Sequence, residues 1–237
     1  MAPAPDDEAR QRVDPTARLR YDGTGLDDEA VAALAGLDPL PLLERWYDDA
    51  VADERITEPA AMVVATTDAA GHPNARTVLL KGLGPDGFTF FTNLGSVKAT
   101  ELAGVPRAAL VLLWHPMFRQ VRARGVVEQV SREESAAYFT SRPRDSQVAA
   151  WASRQSAPIG SRAELERAVR QRESELAGLD PVPLPEFWGG YRVRPVEVEL
   201  WVGHRDRLHD RVAFTSSSGE PAPLDDAAAW HLERRQP

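Results

Sequence analysis

Apolar and polar positions fall into short alternating runs divided by turn residues, with helical periodicity between them. Strict alternation puts successive side chains on opposite faces of a strand, whereas apolar positions three and four apart mark one face of a helix. Between Pro41 and Val51, Leu42, Leu43, Trp46 and Ala50 recur at helical spacing. Residues 62–67 read as a strand, Asp68 to Gly71 as a turn, and 76–81 as the partner strand. Gly84-Pro85-Asp86-Gly87 turns the chain into a third strand over 88–92. A helix is expected over 96–104, then strands over 108–114 and 119–130. Ser131-Arg132-Glu133-Glu134 is a capping box that opens a helix, and Ser161-Arg162-Ala163-Glu164 opens another to about residue 177, with Leu165, Val169 and Leu176 on one face. The first should falter at Arg142, because Pro143 disfavours helical geometry in the residue before it. Residues 181–185 form a Pro-rich connector.

Val196, Val198, Leu200 and Val202 alternate with Glu197, Glu199 and Trp201, the pattern of a half-buried strand. A last strand over 207–214 would put Arg207, His209 and Arg211 on one face, opposite Leu208, Asp210 and Val212. Residues 216–226 read as a polar loop. Many strands joined by tight turns, with helices inserted late, predict a mainly β, antiparallel barrel decorated by α-helices. One domain is expected over 18–237, after an acidic, Pro-rich leader over 1–17 that should be disordered and does not suit a secretory signal.

Composition narrows the chemistry. With 36 acidic against 28 basic residues the formal net charge is −8, which disfavours a general affinity for nucleic acid. The absence of cysteine excludes disulfides, thiol catalysis and Cys-ligated metals, and fits a cytoplasmic location. No apolar run approaches the ~18 residues of a membrane span. The sequence contains no GxGxxG, GxxxxGK[ST], HExxH or GxSxG, and its five histidines show no metal-ligand spacing, so no metal is expected. What remains is a set of anion-ready segments. Arg76 and Lys81 bracket an apolar strand; Ser96 and Lys98 stand at a helix start; Tyr138 and Arg142 share a helix face, with Ser146 just beyond Pro143. Cationic groups aligned as Arg207, His209 and Arg211 would repel one another unless something anionic faced them.

Taken together these segments resemble the pyridoxine/pyridoxamine 5′-phosphate oxidases, which use flavin mononucleotide (FMN). The carriers are Arg76-Thr-Val-Leu-Leu-Lys81, Phe91-Thr-Asn-Leu-Gly-Ser96 with Lys98, Arg119-Gln120-Val121, Tyr138-Phe-Thr-Ser-Arg-Pro-Arg-Asp-Ser-Gln147, Gln155-Ser156, Phe187-Trp-Gly-Gly190 and Arg207-Leu-His-Asp-Arg211. The resemblance spans roughly residues 18–237 in order. It implies a split β-barrel homodimer with FMN at the subunit interface. The strand of Arg76, Thr77, Val78, Leu79, Leu80 and Lys81 would lie along the flavin, completed by Phe91, Thr92, Ser96, Lys98 and Gln120. Gln155, Ser156, Trp201 and Arg211 would reach FMN from the partner subunit. Lys81, Tyr138, Arg142 and Ser146 would hold the substrate phosphate. Arg207, Leu208 and His209 would close over the pyridine ring, with Arg207 and His209 the catalytic pair and His209 a proton acceptor, while Arg18 and Tyr21 match an N-terminal lid. The implied reaction oxidises pyridoxine or pyridoxamine 5′-phosphate to pyridoxal 5′-phosphate by hydride transfer from C4′ to flavin N5, with O2 restoring the flavin and giving H2O2. Where the family has Ser-Arg-Lys, this chain has Ser96-Val97-Lys98, and loss of one charge-assisted hydrogen bond to a phosphate would cost about 1.5–3 kcal/mol. Two alternatives stand beside this one: a phenazine-type FMN oxidase of larger tricyclic acids, and a non-catalytic flavin or pyridoxal phosphate carrier.

Overall fold

The computed structural model describes residues 21–237, so Arg18 and the expected leader lie outside the described residues. Helix α1 (Asp28–Ala32) starts where Ala30 N–H donates to Asp27 Oδ1 at 2.8 Å, and α2 (Leu40–Ala52) buries Leu42, Leu43, Trp46 and Ala50, the stripe its spacing predicts. Two hairpins follow: β1 (Ala61–Thr67) with β2 (Pro73–Leu79), and β3 (Gly82–Gly84) with β4 (Gly87–Asn93). After α3 (Val97–Gly104) come β5 (Arg107–Trp114) and β6 (Arg119–Gln129). Helices α4 (Arg132–Ser141), α5 (Arg144–Ala152) and α6 (Arg162–Leu176) precede β7 (Trp188–Val202), β8 (Asp210–Ser216) and β9 (Trp230–Arg235).

All pairings are antiparallel, in the order β2-β1-β5-β6-β7-β4-β3, with β8 joined to β7 and β9 to β8. Strand β7 is the spine. It gives one edge to β6 and divides the other between β4, against residues 188–193, and β8, against 197–202. A register shift at Arg124/Gly125 marks the division. Gly125 is obligatory there, because a Cβ would stand 1.9 Å from Arg194 O. The sheet curls into a split barrel until β2 meets β4, and its inner face buries Met62, Val64, Phe88, Phe90, Leu112, Val193, Leu200 and Phe214. A smaller cluster of Phe139, Val148, Leu176, Val182 and Trp188 lies beneath α4 to α6.

The antiparallel, helix-decorated barrel agrees with the pattern along the chain, and both serines cap their helices: Glu134 N–H donates to Ser131 Oγ at 3.0 Å and Glu164 N–H to Ser161 Oγ at 3.1 Å, while the two Glu carboxylates turn to Arg192 and to Gly160 N–H instead of closing the boxes. The helix does falter at Arg142, whose ψ of 149° is extended, and the chain resumes helical geometry in α5 two residues on. Several other local expectations need correction. Leu165 stays exposed on α6 while Leu176 is buried. Glu197 and Glu199, expected to face solvent, are buried under Arg122, Arg124, Arg211 and Arg235. The last strands also differ: β9 adds a hairpin partner to β8, and β8 starts at Asp210 rather than at residue 207. Asp206 and Arg207 take left-handed φ of 57° and 62°, which folds the chain into a turn closed by Leu208 N–H to Arg205 O at 3.1 Å. Arg207, His209 and Arg211 therefore form no common strand row.

Candidate functional site

Between the barrel and the α4–α5 helices lies a cavity of about 500 Å³. The end of β2 supplies Arg76, Thr77, Val78 and Leu79 to its wall, with Lys81 just beyond; β4 and α3 supply Phe91, Thr92 and Lys98; the helical side supplies Tyr138, Arg142, Ser146 and Gln155. Leu80, just past the end of β2, does not line it and is buried in the core.

The floor is aromatic. Phe91 stacks on Tyr138 at 4.2 Å and on Trp188 at 5.5 Å between ring centroids. This slab exists because Gly190 sits opposite Phe91 in the β4–β7 register, and a Cβ there would meet the Phe91 ring at 2.6 Å. The Arg142 guanidinium lies over the Trp188 ring at 4.9 Å and the Phe139 ring at 5.5 Å. Burial holds its pKa below the ordinary arginine value, and its Nη1 is buried without a hydrogen-bond partner. Desolvation also raises the Tyr138 phenol. A buried cation with an unmet donor is costly unless an anion completes it. Ser146, in the first turn of α5, lines the same cavity, where the positive end of the helix favours negative charge.

A second cationic group occupies the other end. Lys98 is 7% exposed, and its Nζ donates to Gln155 Oε1 (2.8 Å), Thr92 Oγ1 (3.1 Å) and Ser96 Oγ (3.3 Å). Burial lowers its pKa, and neighbouring Arg76 lowers it further. Arg76 Nη2 pairs with Glu101 Oε2 at 2.9 Å, and its Nη1 donates to Thr66 Oγ1 at 2.5 Å. Burial alone would raise the Glu101 carboxyl, but hydrogen bonds from Asn74, Thr66 and Arg76 hold it below its ordinary value. Glu101 was not anticipated; its pairing joins residues far apart in sequence, and only its helical distance from Lys98 hinted at it.

Ser156 Oγ accepts from Val97 N–H at 3.3 Å, which ties the 153–157 segment to the start of α3. Gln155 and Ser156, assigned by resemblance to the partner's side, thus stand beside Lys98 and Val97 of the same chain. Val97 is 47% exposed on the rim of an adjoining cavity of about 850 Å³.

The other anticipated residues do not line the 500 Å³ cavity. Gln120, Trp201 and Arg211 are successive cross-strand partners on the outer face of β6, β7 and β8, and Arg211 Nη2 pairs with Glu199 Oε2 at 2.7 Å. Arg207 is in the left-handed turn, Leu208 is 72% exposed, and His209 lies against Trp201 (4.8 Å) and Tyr21 (5.7 Å). One chain therefore carries two groups of candidate residues.

Known proteins decide what kind of molecule this is. A family model described as pyridoxamine 5′-phosphate oxidase matches residues 48–174, and one described as the pyridoxine 5′-phosphate oxidase C-terminal dimerisation region matches residues 188–237. The chain belongs to the pyridoxine/pyridoxamine 5′-phosphate oxidase family. Curated relatives bearing that oxidase name include one from Nocardia farcinica, 47% identical over 87% of this chain and 92% of that protein. Another, from Kineococcus radiotolerans, is 45% identical over 98% of this chain and 100% of that protein. Among solved structures, PhzG from Burkholderia lata, in complex with tetrahydrophenazine-1-carboxylic acid, superposes with a TM-score of 0.78 at 25% identity, covering 91% of this chain and 99% of that one. A pyridoxamine 5′-phosphate oxidase-related, FMN-binding protein from Nostoc punctiforme shares the fold at a TM-score of 0.62 and 17% identity, over 81% of this chain and 96% of that one. Among the described residues no helix is long and apolar enough to cross a membrane.

Proposed function

We propose that this chain oxidises pyridoxine 5′-phosphate and pyridoxamine 5′-phosphate to pyridoxal 5′-phosphate as an FMN-dependent homodimer. The observation that carries this reading is Arg142, a half-buried cation whose buried Nη1 donor is unmet, over an aromatic slab, in one cavity with Ser146, Tyr138 and Lys81. That set suits a phosphate joined to a flat ring: the cation and the α5 N-terminus meet the phosphate, and the slab flanks the ring. The cavity's other end suits the FMN phosphate, with Lys98, Arg76, Thr92, Ser96, Gln155 and Ser156 as the holding residues. FMN held there would supply a hydride acceptor for oxidation at C4′, reoxidisable by O2 with release of H2O2.

The chain's own residues supply placement. Lys81 lines the same cavity, and Arg142 with Ser146 would fix the substrate's phosphate, so that rotation of the bound ring is restricted. Arg207 would orient the substrate electrostatically as a guanidinium donor.

Gln120, Trp201 and Arg211 join this site across a dimer. Cross-strand register puts Leu79, Thr77, Val63, Val111 and Leu113 on the same outer face as Gln120 and Trp201, and Val63, Leu79 and Leu113 are exposed there. An apolar sheet face of this kind calls for a partner. A second copy seated on it would bring its own Trp201, Arg211, Arg207 and His209 toward the cavity.

Steady-state oxidation of pyridoxine 5′-phosphate compared with pyridoxine tests the reading. The phosphorylated substrate should be strongly preferred, and Arg142→Met should raise its KM about ten- to a hundredfold, the value of one charge-assisted bond, while leaving pyridoxine unaffected. Equal use of both substrates by the unaltered protein would overturn it. The likeness to PhzG favours a tricyclic acid as second reading, but the curated oxidases are far more similar in sequence, at 45–47% against 25% identity.

A further inference from the structure

His209 is tied at one ring nitrogen and open at the other. The backbone N–H of His204 donates to His209 Nδ1 at 3.1 Å, and among the described residues Nε2 makes no hydrogen bond. A nitrogen that accepts from an amide cannot carry a proton, so in the neutral ring the proton belongs to Nε2. The left-handed turn at Asp206 and Arg207 brings residues 204 and 209 together, and contacts on several sides keep it in place. His204 Nε2 lies 2.7 Å from Asp210 Oδ2; Arg234 Nη1 bonds Asp210 Oδ1 and its Nη2 reaches Leu26 O at 3.1 Å. Gly23 N–H donates to Gly203 O at 2.9 Å, and Arg205 Nε meets Asp22 Oδ1 at 2.7 Å.

We propose that His209 acts in the oxidase reaction as an Nε2–H hydrogen-bond donor, its tautomer set by the His204 amide, and not as a proton acceptor. This rests on the oxidase reading above and changes the role that the resemblance implied. Burial keeps the imidazole pKa below its ordinary value, and Arg207 and His204 lower it further; Tyr21 and Trp201, which flank the ring, bring no carboxylate to offset them. The ring is thus neutral at physiological pH. With its one free nitrogen already protonated, it presents a donor to an electron-rich heteroatom of the substrate ring. The proton released on oxidation then passes to solvent and not to this imidazole. His204 is a positioning residue that acts through its amide.

The test pairs spectroscopy with two variants. In FMN-loaded protein labelled with ¹⁵N-histidine, two-bond ¹H–¹⁵N correlations identify the tautomer of each of the five histidines, and His209→Gln assigns the signal of interest. The expected spectrum at neutral pH shows a protonated Nε2 and a bare Nδ1, without any need for turnover. Gln can offer an N–H near the Nε2 position. His209→Gln should therefore keep kcat within about tenfold of the parent, whereas His209→Ala, with no donor, falls at least about tenfold below Gln. An Nδ1–H tautomer, a doubly protonated ring, or Gln and Ala variants that fall together by about a hundredfold or more, as loss of a general base would cause, would overturn the proposal. None of these results would touch the oxidase reading, whose failure would show as absent flavin reduction with the tautomer unchanged.

Discussion

Lys98 is buried and Arg142 half-buried, and in each the pKa is depressed chiefly by burial. Such cations strain the empty protein and reward an anion, the usual exchange between stability and function at a site. Lys98→Met should therefore weaken FMN binding about ten- to a hundredfold, read by flavin fluorescence, without lowering the melting temperature of the cofactor-free protein. A melting temperature that falls together with affinity would instead make Lys98 a structural residue. Val97 gives the opposite test. Its side chain is exposed at the start of α3, where the resemblance leads one to expect arginine and where the backbone N–H bonds Ser156 Oγ, so Val97→Arg should tighten FMN binding by a similar factor. An unchanged Kd would mean that a side chain at this position does not meet the phosphate. At this scale the sequence was informative about residue identity, since cations and hydroxyls could be named directly. Partners were less legible: Glu101, which offsets Arg76, and the unmet Nη1 of Arg142 depend on contacts between distant segments.

Among the elements, β4 and β7 set the cavity floor. Gly190→Ala should push Phe91 off its stack with Tyr138 and Trp188, because the added methyl meets the ring well inside contact distance. A cost of about 1–3 kcal/mol in unfolding free energy, together with a raised KM, is expected from such overpacking. At the other end of β7, Glu197 is buried beneath Arg124 and Arg235. Burial alone would raise its pKa, but the hydrogen bonds and charges of the two arginines prevail and lower it. A carboxylate lowered in this way adds stability that is complete above its ordinary value of 4.5 and is lost as pH falls through the folded value. Acid unfolding below about pH 4.5 should accordingly be shallower in Glu197→Gln than in the parent. Parallel curves would remove Glu197 from the account. Alternation made β7 visible as a strand, but it could not show that its polar face is covered, because the covering arginines come from β6, β8 and β9. The start of β8 was placed too early for a similar reason: nothing in Arg207 as a residue type announces a left-handed turn.

For the whole molecule, a curled sheet with an exposed apolar outer face accounts for why one chain carries two separate groups of site residues. The periodicities were enough to predict an antiparallel, helix-decorated barrel, since that depends on local alternation and turns. Dimer assembly was legible only through the family resemblance. Val63→Glu, on the exposed face of β1, should shift the protein from dimer to monomer in sedimentation and reduce FMN binding with it. A monomer that binds FMN as tightly as the parent would separate the cofactor site from the interface. The central claim is tested most directly by anaerobic titration of the FMN-saturated protein with pyridoxine 5′-phosphate while following the flavin absorbance. Bleaching that recovers on admitting air, with pyridoxal 5′-phosphate formed, is the predicted result. A flavin band that stays oxidised in a protein shown to bind FMN would contradict it.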